Sequence, residues 1–437
     1  MKIINIKNIE YNLNLAILFC IAPIGYFAPI AEWLLISLLS CFSLIKFTIN
    51  SFKLNYSNIF LFISICLVFL NSYFISTNSF RTLEVIGPKT GIILAVFIVI
   101  MITSKNNIPN ISRILAPPVL IVSLIIFCDL YFNTEIRSTL ASLIGDKPTS
   151  ISANYDRGIL ILTAMMPITI AILYNKKKYI YGSIIFILIL SIIIIGPNDT
   201  ARVTLFCSLI ASIIVYFLGP KSFISFGIVA AIFILFLPIL SIKIFPKIGT
   251  IEKPVERVVA CKLITEDKLK YFIRKSNGKD CYRMVPWQAH PSGRSMIHRI
   301  LVWEFVGKEI LNKPILGYGL GTSRLIGQNI ILTVPNINEE IKGGIPLHPH
   351  NSFLEIWLEL GIIGITILYF IWFKIIKFGY YLRRKSYILG TGACTSIISI
   401  FIISNLSFGF FQAWWMSSIG LIFLVIIQAC KDNKTIS

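Results

Sequence analysis

The chain has 437 residues, of which 56% are hydrophobic, with a mean hydropathy of +0.81 and a formal net charge of +20. That hydrophobicity excludes a soluble globular domain. The basic excess would suggest nucleic acid in a soluble protein, but here its meaning depends on where the charges fall.

Apolar runs of about 18 residues or more with few charges read as membrane-spanning helices. In chain order they lie near 13–30, 32–48, 59–76, 88–103, 115–132, 157–174, 179–196, 201–218, 223–244, 351–373, 387–404 and 412–429. The expectation is an all-α integral membrane protein with about twelve spans, the first two nearly fused. The first run lacks a small-residue cleavage site and is soon followed by another, so no cleavable signal peptide is expected. With an even span count and a cytoplasmic N-terminus, Lys176, Lys177, Lys178, Lys221, Arg383, Arg384 and Lys385 fall inside, and the short outside loops carry far fewer cations. This positive-inside pattern puts both termini in the cytoplasm. Residues 1–244 then hold nine spans, 245–350 a large outside loop, and 351–437 three closing spans and a cytoplasmic tail.

The loop is basic, with sixteen Lys and Arg against nine Asp and Glu between Phe245 and Pro346. It could attract a phosphorylated acceptor, or simply lie solvated beside anionic headgroups. It also holds Cys261 and Cys281, where an oxidising exterior would permit a disulfide; two free thiols are the alternative. The other cysteines mostly lie in apolar runs and read as small packing residues. Within "RSMIHRILVWEFVGKEILNKPILGYGLG", Ile297, Ile300, Leu301, Glu304, Phe305, Lys308 and Leu311 recur at helical spacing, predicting an amphipathic helix. Pro314 and three glycines then signal a turn.

Candidate chemistry gathers at span ends. Arg157 and Arg202 sit where spans begin at the outer face, and Arg299 lies on the loop helix. A boundary arginine often only snorkels to headgroups. Arg202, however, stands beside Asn198, Asp199 and Thr200, and several converging guanidiniums would suit a diphosphate leaving group. In "LHPHNSFLEIWLELGIIG", His348 and His350 precede a span. An imidazole can take a proton from a hydroxyl nucleophile, although capping or metal binding are the alternatives. Asn351 suits a helix cap. Glu355 and Glu359 share one face with it; Glu359 could pair with a Lys or Arg of a neighbouring helix. No phosphate-binding glycine loop, metal-holding acidic pair, intramembrane proton relay or inverted repeat is visible, which leaves a transporter with little support.

Those residues carry a resemblance. "HPHNSFLEIWLELGIIG" resembles the signature of the O-antigen ligase and polymerase superfamily: a His-Asn pair, a Leu-Glu position and a Glu-x-Gly-x-x-Gly end. "HRILVWEFVGKEILNKPILGYGLG" is similar to the family's preceding segment, with Arg, then Trp four residues on, then Pro and Gly-x-Gly. "NDTARVTLF" is similar to the family's Ser/Thr-x-Arg or Ser-Arg span entrance, although Arg202 sits in "DTAR" rather than a plain Ser-Arg pair. The likeness runs from Asn154 onward; the first five spans match only in hydropathy.

The resemblance implies a GT-C-like membrane glycosyltransferase. Its donor would be a glycan on undecaprenyl diphosphate, and its acceptor a lipid A–core sugar hydroxyl at the periplasmic face of the bacterial inner membrane. The reaction would need no metal, nucleotide or other cofactor. Carried onto this chain, Arg202 and Arg299 would hold the diphosphate and His350 would activate the acceptor, with Arg157, His348, Asn351 and Glu355 lining the substrates. A polymerase or a protein O-oligosaccharyltransferase of the same superfamily is the alternative, and an anion transporter lies outside it.

Overall fold

The computed structural model describes residues 6–49, 56–101, 111–132, 136, 139, 148–196, 198–246, 291–328, 331–334, 339–342, 345 and 348–432. Cys261 and Cys281 lie outside the described residues. The first half is a run of helices: α1 (Ile6–Phe27), α2 (Glu32–Ile49), α3 (Tyr56–Ile75), α4 (Ser79–Met101), α5 (Ile111–Tyr131), α6 (Pro148–Asn175), α7 (Tyr179–Ile195), α8 (Asp199–Leu218) and α9 (Pro220–Lys243). After them come α10 (Pro291–Asn312), the single turn α11 (Ser323–Ile326), a two-stranded antiparallel hairpin (β1 Ile331–Val334, β2 Glu339–Lys342), and then α12 (Ser352–Lys385), α13 (Tyr387–Leu406) and α14 (Ala413–Asp432).

Eight helices among the described residues are long and apolar enough to cross a membrane, and four shorter apolar helices accompany them. Their outward faces are apolar, as lipid contact requires; Phe206, Phe217 and Val229 are 66%, 73% and 65% exposed. Helix starts differ from the hydropathy reading. α4 begins at Ser79 and α6 at Pro148, because polar first turns extend a helix without adding to its apolar run. α12 runs on to Lys385 for the same reason. The hairpin was not anticipated.

Two buried apolar clusters organise the packing. One joins α1, α2, α5, α6, α7, α8, α13 and α14 around residues such as Ile21, Ile126, Met165, Ile189, Leu205, Ile397 and Trp415. The other joins α3, α9, α10 and the first half of α12, through Phe69, Ile234, Leu237, Trp303, Val306, Phe353 and Leu358. α10 is helical as expected, but it docks through Val302, Trp303, Val306 and Ile310 rather than through the expected stripe, of which, among the described side chains, only Ile300 is buried and Leu311 is 53% exposed. Gly307 lets it approach α9, since a Cβ there would meet the Ser241 hydroxyl and the Pro238 carbonyl.

Aromatic donors on α12 stitch it to α9. Pro238 has no N–H for the Ile234 carbonyl, and the Trp357 indole donates to that oxygen instead at 2.9 Å. Tyr369 and Trp372 likewise donate to the carbonyls of Ala231 and Gly227.

α12 is broken at Gly361, whose φ of 59° is left-handed. The break frees the carbonyls of Leu358 and Glu359, which accept from the amides of Tyr318 and Gly319, both at 2.9 Å. The Ile362 amide turns to the Pro314 carbonyl at 2.9 Å. The "NKPILGYGLG" and "ELGIIG" glycines thus lock one loop into one helix break. A Cβ at Gly361 would run into the Ile315 carbonyl, and one at Gly317 would lie 2.6 Å from the Glu359 carbonyl oxygen.

Candidate functional site

The site is built where the starts of α6, α8 and α12 meet α10 and the turn between α13 and α14. Asn351 caps α12 as expected, its Oδ1 accepting from the amides of Phe353 and Leu354 at 3.0 Å each. Ser352 donates to the Phe408 carbonyl at 2.8 Å, and the buried Glu355 carboxylate accepts from the Phe411 amide at 3.2 Å. These bonds fix the α13–α14 turn against the helix start. From α10, the Trp303 indole donates to the Pro349 carbonyl at 2.8 Å and pins the histidine-bearing turn.

Those restraints hold His350 in a left-handed conformation, φ 54°, which a non-glycine residue adopts only when its surroundings impose it. Two hydrogen bonds then set the imidazole tautomers. His350 Nδ1 lies 3.1 Å from the Ser407 carbonyl, which can only accept, so Nδ1 carries the hydrogen and Nε2 keeps a lone pair. His348 Nδ1 accepts from the His350 amide at 3.0 Å, so its hydrogen sits on Nε2. Adjacent histidines therefore present opposite chemistry: an acceptor on His350 and a donor on His348. Burial, then His350, Arg157 and Arg299, pull the His348 pKa down to about 3. Burial and Arg299 pull His350 down to about 4 against the Ser407 carbonyl. Both rings are neutral at pH 7.

Arg299 reaches the same network. Its Nη1 lies 3.4 Å from the Thr200 hydroxyl, and Ser407 donates to that oxygen at 2.8 Å. One turn thus presents its hydroxyl toward Arg299 through Thr200 and its carbonyl to His350. Burial lowers the Arg299 pKa while Asp199 and Asp156 oppose the shift; the guanidinium stays charged. Asp156 is tied to α8 through Asn198, whose Nδ2 reaches Asp156 Oδ1 at 3.3 Å while its Oδ1 caps α8 on the Ala201 amide. Arg157 sits beside it, its guanidinium carbon 5.3 Å from the Trp414 ring centre.

The structure sets Arg202 apart. Its Nη1 pairs with Asp199 at 2.8 Å, and its Nη2 donates to the Gly196 carbonyl at 2.7 Å and more loosely to Ile194. This satisfies the C-terminal end of α7 and leaves the side chain 38% exposed at the edge of the cluster, linked to Arg299 through Asp199. Glu359 accepts from the amides of Gly321 and Ser323 and lies 3.7 Å from Lys89 of α4. The expected neighbouring-helix cation is thus Lys89. Two residues, Ser407 and His298, were not singled out by sequence reasoning. Ser407 is a buried hydroxyl with no motif of its own, while the buried Thr200 was noted only as part of the polar cluster beside Arg202. His298, one residue before Arg299, has its ring centre 6.3 Å from that of His350; its place in the Arg-Trp helix was the signal available.

Residues 184–369 match the family model described as O-antigen ligase. That span contains Arg202, Arg299, His348, His350, Asn351 and Glu355, while Arg157 lies before it. The chain is also similar to proteins provisionally named polysaccharide ligases. The Rickettsia conorii protein is 30% identical over 276 residues, covering 62% of this chain and 57% of the relative. The Rickettsia felis protein is 29% identical over 274 residues, 62% and 57%, and that of Rickettsia typhi 29% over 273 residues, 62% and 58%. The match therefore spans less than two thirds of these relatives' length. With eight helices long and apolar enough to cross a membrane among its described residues, the chain is a multi-pass membrane protein whose residues 184–369 match the O-antigen ligase family model.

Proposed function

We propose that this protein transfers a glycan from undecaprenyl diphosphate to a sugar hydroxyl of lipid A–core, at the periplasmic face of the bacterial inner membrane and without metal or nucleotide. The observation that carries the reading is the His350–Ser407–Thr200–Arg299 connection. It joins a ring nitrogen with a free lone pair to a guanidinium fixed nearby.

In this reading the donor diphosphate docks on Arg299 and Arg157, with Arg202 at the rim. The acceptor hydroxyl gives its proton to His350 Nε2 as its oxygen attacks the anomeric carbon. The bond from that carbon to the diphosphate breaks, and its electron pair leaves on the phosphate oxygen. Arg299 stabilises the growing charge there as a donor already fixed in place. The Ser407 carbonyl steadies the imidazolium through Nδ1–H, and His348 offers Nε2–H to the sugar or phosphate. A base opposite the leaving group favours inversion. Asn351 and Glu355 act through the turn they hold, and the apolar spans receive the prenyl chain. The α13–α14 turn, three helix starts and the middle of α10 supply the whole constellation, so it is preorganised before substrate arrives.

The test uses purified protein in nanodiscs, supplied with undecaprenyl-diphosphate-linked glycan and no nucleotide or divalent ion. Product that forms only when lipid A–core is added supports the ligase. Longer carrier-linked chains without lipid A–core would make it a polymerase, and glycan on a protein acceptor an oligosaccharyltransferase. No transfer to any of the three would refute the reading.

A further inference from the structure

His298 is the imidazole that the proposed transfer leaves without a task. Its two neighbours are committed: His350 donates from Nδ1 to Ser407, and protonating His348 Nδ1 would break the bond from the His350 amide. Among the described residues, none forms a hydrogen bond with the His298 ring. The side chain is half-buried on α10 beside Arg299. A direct bond between imidazoles of about 2.9 Å would bring their ring centres within about 5.2 Å. The observed 6.3 Å to His350 therefore excludes a direct bond between the two rings.

The charged groups around this cluster come from four elements: Arg299 from α10 itself, His350 and His348 from the turn before α12, Asp156 and Arg157 from α6, and Asp199 and Arg202 from α8. Burial and Arg299 together hold His298 below its ordinary pKa, so it is neutral in the free protein. An anion seated on Arg299 reverses the second cause, because its negative charge offsets the guanidinium and favours a charged imidazole.

We infer that His298 is a conditional phosphate ligand: it takes up a proton when a diphosphate diester docks on Arg299, and then donates a hydrogen bond to that diester. Donor binding is in consequence proton-linked. The inference rests on the donor reading above. The sign follows from linkage: a pKa low in the free protein and raised in the complex means proton uptake on binding, and affinity that tightens as pH falls.

The probe is an N-acetylglucosamine diphosphate farnesyl diester, which keeps two negative charges at every pH used. Calorimetry at pH 6.5 in buffers of different ionisation enthalpy counts protons taken up on binding. Wild type is expected to take up between about half a proton and one proton, and His298→Gln less than about a fifth of one. The variant's affinity should match wild type at pH 8 and fall roughly tenfold behind it at pH 5.5. His298→Asn, run beside it with a melting curve for each, guards against a folding defect confined to one substitution. Binding by wild type without proton uptake, or equal uptake in both variants, would overturn the inference while leaving the donor site standing. No binding by wild type, with Arg299→Ala no different, would overturn the donor reading and this inference with it.

Discussion

Arg299 is the residue whose removal the account prices most directly. Its guanidinium is held against Thr200 and countered by Asp156 and Asp199. A phosphate oxygen about 4 Å away interacts with it by roughly 4 kcal/mol at an effective dielectric near 20. Losing one preorganised donor to a developing anion costs about 100- to 1,000-fold in turnover. Arg299→Ala is accordingly expected to lower single-turnover transfer by about that factor. Arg299→Lys should recover part of it, because the charge returns without the two-pronged geometry. The assay is gel-resolved transfer in nanodiscs with donor in excess, beside melting curves to establish folding. A loss below about fivefold in folded Arg299→Ala protein would remove this residue from the leaving-group site.

Four further outcomes follow from the same geometry. His350→Ala should cost about 100-fold or more, as loss of a general base does, while His348→Ala costs less; the reverse order would make His348 the base. The acid limb of kcat/KM for the donor should reflect the free His350, whose pKa is about 4, with the limb of kcat displaced upward by the bound anion. Activity is lost as pH falls through each value, and a limb of kcat lying below that of kcat/KM would contradict this. Because the folded rings refuse protons that the unfolded chain accepts, the apparent melting temperature should also fall as pH drops from about 6.5 toward 4. Gly361→Ala should destabilise by at least about 1–2 kcal/mol, since it adds left-handed strain and a clash with the Ile315 carbonyl; an unchanged melting temperature would contradict the loop-in-helix lock.

Much of the membrane architecture was legible because apolar runs and helix-capping residues act locally. The end of α10 at Asn312, before Pro314, and the Asn351 cap were both readable, as was a basic partner for Glu359. What the chain did not disclose depends on distant contacts. Gly361 breaks α12 only because Tyr318 and Gly319 arrive to take its freed carbonyls. The tautomers of His348 and His350 depend on one backbone amide and one carbonyl 57 residues away. Arg202 looks equivalent to Arg299 in sequence, yet it folds back on the carbonyls that end α7. Thr200 and Ser407 matter only because α8 and the α13–α14 turn meet.

In the proposed reaction a glycan leaves a lipid diphosphate at this cluster. This is tested by measuring, in one nucleotide-free single-turnover reaction, both glycan joined to lipid A–core and undecaprenyl diphosphate released. Wild type is expected to release one carrier per glycan joined, and Arg299→Ala and His350→Ala to lose both together. Carrier-independent transfer, or unimpaired release in both folded variants, would contradict it.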